Sequence, residues 1–312
     1  MPEPSFIRVP APDPFDFGLT VGHQTYYRGR AGSDLFAGGV YYRAAWTPSG
    51  PLVMAVRPSP DGAAIDVSLP NGGPDGALEG AAAEAARLLG FDVGLGGFYD
   101  ILADDPVLSG AIGHLRGLRL ARSESVYEAM VQAVAGQQIS GAVARVIRDG
   151  LVTTYGAALE ADGHVVHAFP RPETIAQAGA DALRALKLSA RKAEYIIDIS
   201  QRAVDGELDH ERLDVLSDEE VIAQLSAIRG VGRWTVQWVL MRALGRVDVL
   251  PAGDLALQRT IGELYFAGRR LTEQELDEFA AERWKPYRGL ATAYLFAHLR
   301  QQRAAASPAP PP

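Results

Sequence analysis

The stretch Leu225-Ser-Ala-Ile-Arg-Gly-Val-Gly-Arg-Trp-Thr-Val-Gln-Trp-Val-Leu240, followed by Leu250-Pro-Ala-Gly-Asp254, restricts the possible folds more than any other part of the chain. Ser217 and Glu220 have the spacing of a helix capping box, and Val221, Ile222, Leu225 and Ile228 recur behind them at helical intervals. Gly230 and Gly232 flank one small apolar residue, which suits a turn needing positive φ and close backbone approach. A second helix is expected from about Arg233 to Leu244. Its first amides have no partner within the helix and, with the helix dipole, make a phosphate site. The pattern predicts a helix-hairpin-helix that grips a nucleic-acid backbone without reading its sequence. A short loop then delivers one carboxylate, Asp254.

Around this hairpin the chain divides in two. Tyr41–Trp46, Leu52–Val56 and Ala64–Leu69 are short β-type runs broken by Thr47-Pro-Ser-Gly50 and Ser59-Pro-Asp-Gly62 turns, which predicts an antiparallel meander. The alanine-rich stretch 76–89 reads as a helix packed on that sheet, giving a small α+β layer. From Val107 helical patterning takes over, with helices expected at 124–138, 140–155, 172–178, 180–186, 190–204, 217–228, 233–244, 254–266, 272–282 and 287–302. The fold class expected is thus an α+β N-terminal domain over residues 1–115, an antiparallel sheet with helices, followed by an all-α helix-hairpin-helix domain over 116–303. The Pro/Ala-rich tail 304–312 is expected to be disordered.

Charge qualifies the nucleic-acid reading. The net charge is −8, but residues 1–115 hold 6 basic against 13 acidic side chains, whereas 116–312 hold 24 against 25. The acidity sits in the front part, and local placement of charge decides phosphate binding. Moderate affinity with strong salt sensitivity is expected. The chain has no cysteine, which excludes a disulfide framework, a thiolate-bound metal or iron–sulfur cluster, and a cysteine nucleophile. No apolar run is long enough to span a membrane, and the opening Met-Pro-Glu-Pro-Ser-Phe lacks the regions of a signal peptide; a cytoplasmic monomer is the expectation.

Four segments in order resemble the helix-hairpin-helix/Gly-Pro-Asp superfamily of DNA base-excision glycosylases. They are Tyr127–Ser140, Leu188–Ile196, the Gly-Val-Gly hairpin with Leu250-Pro-Ala-Gly-Asp254, and Glu282-Arg-Trp-Lys-Pro-Tyr-Arg288. Their details are similar to the 3-methyladenine DNA glycosylase II (AlkA-type) branch, over roughly residues 116–303. The resemblance implies a monofunctional enzyme of base excision repair. It would flip a damaged base out of duplex DNA, its partner, and hydrolyse the N-glycosidic bond of alkylated, 3-methyladenine-like purines. No cofactor is required.

Taken alone, Asp254 reads as the N-cap of a helix Leu255–Phe266; its place after the hairpin favours a chemical role. As the base departs, C1′ becomes oxocarbenium-like, and a nearby carboxylate stabilises that cation. Glycosylase/lyase members of the superfamily carry a lysine just after the hairpin, where this chain has Trp234, so no Schiff-base amine is available there.

Trp234 and Trp238, at i and i+4, are either plain core or, as the resemblance implies, walls of a base pocket suited to a cationic purine. The resemblance adds Phe296 and Ala297 where relatives carry a Trp-Tyr pair, implying a wider pocket, with Phe15 and Phe17 as weaker candidates for its rim. It puts Gln138 in the place of the residue that wedges into the vacated stack. DNA contacts are expected from Gly230, Gly232, Thr235, Arg229, Arg233, Arg191 and Lys192. The carbonyls of Ser226, Ile228 and Val231 match positions that hold a structural sodium or potassium ion in relatives. His164 and His167 lack the further ligands of a metal site. The alternatives are a glycosylase of broadened range that includes oxidised bases or lyase activity, and a non-catalytic DNA-binding helix-hairpin-helix protein.

Overall fold

The computed structural model describes residues 5–26, 32–120 and 122–306. The front part runs β1 (Phe6–Pro10), α1 (Phe17–Tyr26), β2 (Asp34–Ala37), β3 (Val40–Thr47), β4 (Gly50–Pro58), β5 (Ala64–Ser68) and α2 (Ala77–Leu88). The strands form one antiparallel sheet in the order β1-β5-β4-β3-β2. The expected meander is its centre; β1, β2 and α1 had no expectation attached.

The inner strand β3 is almost wholly buried, which requires cover on both faces. On one face Tyr41, Met54, Val56, Ile65 and Val67 pack against Ala81, Ala82, Ala85 and Leu88 of α2. The other face is covered from an unexpected source. After α3 (Gly96–Leu102), α4 (Leu108–Leu115), α5 (Val126–Gly136) and α6 (Gly141–Tyr155), the chain makes a hairpin of β6 (Ala157–Ala161) and β7 (His164–Ala168). Its Ala161, Val166 and Ala168 close over Val40, Tyr42, Ala44, Val53 and Ala55. The part expected to be all helical therefore contains two strands. Alternating residues around Asp162-Gly163 carry the standard sequence signal for such a turn.

The remaining helices are α7 (Pro172–Ala178), α8 (Ala180–Arg184), α9 (Ala190–Val204), α10 (His210–Asp214), α11 (Asp218–Ser226), α12 (Arg233–Arg242), α13 (Leu255–Tyr265), α14 (Glu273–Trp284) and α15 (Arg288–Ala306). The helix α15 continues through residues 304–306, where a disordered tail was expected; the rest of that tail, 307–312, lies outside the described residues. One large core runs through this part and takes in Leu95, Phe98, Leu102, Leu108 and Leu115. Helices α3 and α4 thus pack with the helical lobe although they precede residue 116. No helix among the described residues is long and apolar enough to cross a membrane.

A buried ionic cluster joins the lobes. Arg43 of β3, fully buried, pairs with Asp34 at 3.1 Å, with Glu124 at 2.9 Å and with Glu128 of α5 at 2.8 Å. Trp46 adds an indole hydrogen bond to the Phe169 carbonyl at 2.7 Å. These contacts fix the angle at which the sheet meets α5, and α5 forms one wall of the cavity described next.

Candidate active site

The hairpin is built as its sequence requires. Ser217 and Glu220 form the capping box of α11, and the chain reverses at Gly230 with φ 84°. A Cβ there would lie 2.1 Å from the ring of Tyr195 on α9, so both conformation and space demand glycine. Gly232 differs from expectation. It is extended (φ −97°, ψ 171°), caps α12 without a side chain, and a Cβ there would meet nothing within 4 Å. Its value is openness: nothing crowds the cap position, and the first amides of α12 have no partner within the helix.

The loop after α12 is equally tight. Asp254 donates its amide to Pro251 at 2.8 Å, Gln258 Nε2 holds the Ala252 carbonyl at 2.8 Å, and a Cβ on Gly253 would lie 2.4 Å from the Glu273 carboxylate. Asp254 is thereby placed to do two things at once. One oxygen, Oδ1, accepts the amides of Ala256 and Leu257 at 2.9 and 3.0 Å, capping α13. The other, Oδ2, accepts the Trp234 indole N–H at 3.1 Å. The cap and the site are one residue with its two oxygens divided between them.

That carboxylate borders a cavity of about 580 Å³ whose lining includes Trp234, Trp238 and Phe296. Its volume falls in the range of small-molecule sites. The two indoles meet edge to face, with centroids 6.4 Å apart and planes at 73°. Both residues are half-buried, so they are neither plain core nor surface. Among the described lining residues Asp254 is the single carboxylate, and there is no lysine.

Several expected site residues lie elsewhere. Ala297 faces into the core at 4% exposure and does not line the cavity. Phe17 is packed in the front core with Phe15 and Phe36 around it, and Phe15 lies against Phe91; α1 instead reaches the cavity through Gln24. Thr235 is 1% exposed, so its hydroxyl is out of reach of a phosphate; it accepts a 3.0 Å bond from Gln137 Nε2, which also donates to the Gly230 carbonyl at 3.0 Å. Lys192 is likewise spent inside, donating to the carbonyls of Ala135 and Gln137 at 3.0 and 2.5 Å, and desolvation lowers its ammonium pKa. Arg229 pairs with Glu194 at 3.6 Å and lies over Tyr195. Arg191 and Arg233 are exposed beside the hairpin.

At the turn between α5 and α6, Gln138 is exposed with φ 54°. The neighbouring Ile139, which sequence reasoning passed over, is 36% exposed and lines the cavity. Gln137 was also missed. It is the latch between this turn and the hairpin, and nothing in its local sequence separates it from Gln138. For the monovalent cation, Ile228 O already accepts the Val231 amide at 3.1 Å. A carbonyl has a second lone pair, and Ser226 ends α11, where helical carbonyls lack intrahelical partners, so the carbonyls of Ser226 and Ile228 have capacity left for such an ion.

Arg145, Arg148, Arg242, Arg259, Arg300 and Arg303 all contribute to the lining of the cavity, and the Arg242 guanidinium lies 5.9 Å from the Trp238 ring centroid.

Comparison with known proteins identifies the family. A profile of the HhH-GPD superfamily, base excision DNA repair proteins, matches residues 131–286. The chain is 33% identical over 199 residues to the DNA-3-methyladenine glycosylase of Bacillus subtilis, an alignment covering 64% of this chain and 65% of that protein. It is 30% identical over 204 residues to DNA-3-methyladenine glycosylase 2 of Escherichia coli, covering 64% and 68%. The chain thus spans a little under two thirds of the first relative's length. Among solved structures, the 3-methyladenine DNA-glycosylase from Archaeoglobus fulgidus superposes with a TM-score of 0.83 at 28% identity, over 95% of this chain and 98% of that one.

Proposed function

Because the chain belongs to the HhH-GPD superfamily of base excision DNA repair proteins, we propose that it is a monofunctional DNA glycosylase that removes alkylated purines, 3-methyladenine-like lesions among them, from duplex DNA. The observation that carries this reading is Asp254: a carboxylate fixed by a helix cap and an indole N–H, at the edge of an aromatic-walled cavity beside a helix-hairpin-helix. The helix cap uses Oδ1 alone, and a protein that only bound DNA would gain nothing from a charged second oxygen held by the Trp234 N–H, since that charge repels the phosphate backbone.

In this mechanism the amides at the start of α12, with Arg191 and Arg233, hold the backbone of the lesion strand. The turn bearing Gln138 and Ile139 enters the stack as the nucleotide swings out, and the base enters the cavity. The C1′–N bond then breaks, its electron pair leaving with the base. The Asp254 Oδ2 charge stabilises the cationic sugar, and the Trp234 N–H keeps that oxygen directed. Water adds at C1′, its proton passing to Asp254 or to solvent, and an abasic site remains. The carbonyls of Ser226, Ile228 and Val231 would hold a sodium or potassium ion, whose charge would offset that of the phosphate at the hairpin.

The absence of a lysine among the described lining residues favours hydrolysis over lyase chemistry. The test is incubation of the protein with lesion-bearing duplexes, scored for free base and for alkali-labile sites. Release of base with no borohydride-trapped adduct is the expected result. A trapped covalent complex overturns the monofunctional assignment, and no release from any alkylated duplex overturns the enzymatic one.

A further inference from the structure

Gln24 of α1, in the front lobe, is 2% exposed and yet lines the cavity. Its Nε2 donates to the Arg122 carbonyl at 2.7 Å. A carbonyl only accepts, so the atom bound there is the amide nitrogen and the other is the acceptor Oε1. Among the described residues Oε1 has no hydrogen-bond partner. It is not one of the sealed, partnerless polar atoms of the chain, so it opens on the space that Gln24 borders. Ser123 repeats the pattern: it is 3% exposed and part of the lining, with an Oγ that is neither bonded nor sealed. The Ser123 amide donates to the Arg242 carbonyl at 2.6 Å, which puts both acceptors at the C-terminal end of α12. Trp234, bonded to Asp254 Oδ2, stands at the start of the same helix. Eight positions separate Trp234 from Arg242, a rise of about 12 Å. A sugar, a purine and one hydrogen bond fill that span.

We infer that Gln24, with Ser123 beside it, is a specificity-determining residue that reads the exocyclic amino group of the flipped base, so that among alkylated purines those derived from adenine are preferred. This rests on the glycosylase reading and deepens it to a substrate class. The Gln24 amide cannot exchange its two ends, because turning it would set its oxygen against the Arg122 carbonyl. The 6-amino group of 3-methyladenine offers the N–H that Oε1 lacks, and Ser123 Oγ can accept the second. A 6-carbonyl in the same place sets oxygen against oxygen and leaves Oε1 dry and unpaired, the condition under which a site rejects an analogue most strongly. Positive charge on the base works in the same direction, since a hydrogen bond from a cationic donor is the stronger one. The front lobe thereby takes part in base selection.

The experiment uses one preparation of duplex DNA treated with dimethyl sulfate and follows free 3-methyladenine and 3-methylguanine by chromatography. Within DNA the two share the methyl position and the positive charge, and carry an amino group or a carbonyl oxygen at C6. Initial release rates are taken as a ratio for each variant, which cancels any general loss of folded protein. Gln24→Met, which keeps the length of the side chain, should lower the 3-methyladenine to 3-methylguanine ratio about tenfold, the scale of one hydrogen bond to a charged group. Ser123→Ala, which removes one hydroxyl, should lower it about threefold. An unchanged ratio in either variant overturns the inference, and so do equal rates for the two bases in the unmodified protein. Should Gln24→Met yield no folded protein, Ser123→Ala decides by the same rule. If the unmodified protein releases neither base, the glycosylase reading fails. The inference is then judged by tryptophan fluorescence with free adenine and free hypoxanthine: a preference for adenine that disappears in Gln24→Met sustains it, and equal binding, or none, overturns it.

Discussion

The two walls of the cavity are made in different ways. The hairpin wall, Trp234 with Asp254, comes from positions twenty residues apart, joined by a 3.1 Å hydrogen bond and braced by local loop contacts. The opposite wall draws Gln24 from α1, Arg148 from α6, Arg242 from α12 and Arg300 from α15. Its geometry depends on how the sheet lobe docks on the helices. On the proposed reading, the reacting carboxylate belongs to the contiguous wall. The assembled wall supplies the rest of the lining, and a substitution there can change the chemistry presented without touching Asp254.

The sharpest way to test this division is Asp254→Asn. Asparagine caps helices as well as aspartate, so α13 and the melting temperature should be little changed. Base release should fall by roughly a thousandfold, the scale of losing a positioned electrostatic stabiliser, while affinity for an abasic duplex is kept. A variant that retained most activity would show that the hairpin wall is structural only.

The next effect falls on the docking of the lobes. Arg43→Leu leaves Asp34, Glu124 and Glu128 without their shared cation, and breaking a buried pair of this kind costs about 3 kcal/mol or more. Chemical denaturation should show the loss. A second sign should be base preference drifting before base release is lost, because the assembled wall depends on this junction.

Gly230→Ala comes third. Its Cβ would overlap the Tyr195 ring at a positive φ, and backbone strain of this type costs roughly 1–3 kcal/mol. DNA affinity should weaken for damaged and undamaged duplexes alike. Unequal weakening would mean that the hairpin reads the lesion rather than the backbone.

The smallest effect lies outside both walls. The Thr272 amide, the Arg269 guanidinium and the Thr272 hydroxyl pull the Glu275 carboxyl down to about 2. Because the folded value lies below the ordinary 4.5, the stabilisation is complete above that ordinary value and is lost as pH falls through about 2. Glu275→Gln should flatten the acid limb of a melting-temperature profile while leaving excision unaltered at neutral pH.

Legibility in sequence followed the same division. The capping box at Ser217, the reversal at Gly230 and the carboxylate at Asp254 were readable because each depends on neighbours within a few residues. The boundaries of α7 and α9 were readable for the same reason. The hairpin β6–β7 was readable too, from alternation around Asp162-Gly163, but the surrounding helical pattern masked it. Thr235 and Lys192 were misassigned as phosphate contacts. A hydroxyl or ammonium near a binding loop has the same sequence signature whether it faces solvent or, as here, bonds Gln137 or the end of α5.

The sequence by itself determined the helix-hairpin-helix, the carboxylate that follows it and the division into a β-rich front and a helical remainder, since hydrophobic period, capping and glycine placement act over one or two turns of chain. Only the tertiary structure decided that Arg300 meets His23 across 277 positions, that Phe17 and Ala297 are core, and that the sheet is covered by a hairpin from the other lobe. Those outcomes depend on which buried surfaces fit together and which polar groups must find partners once water is excluded, and neither condition is written in any local window.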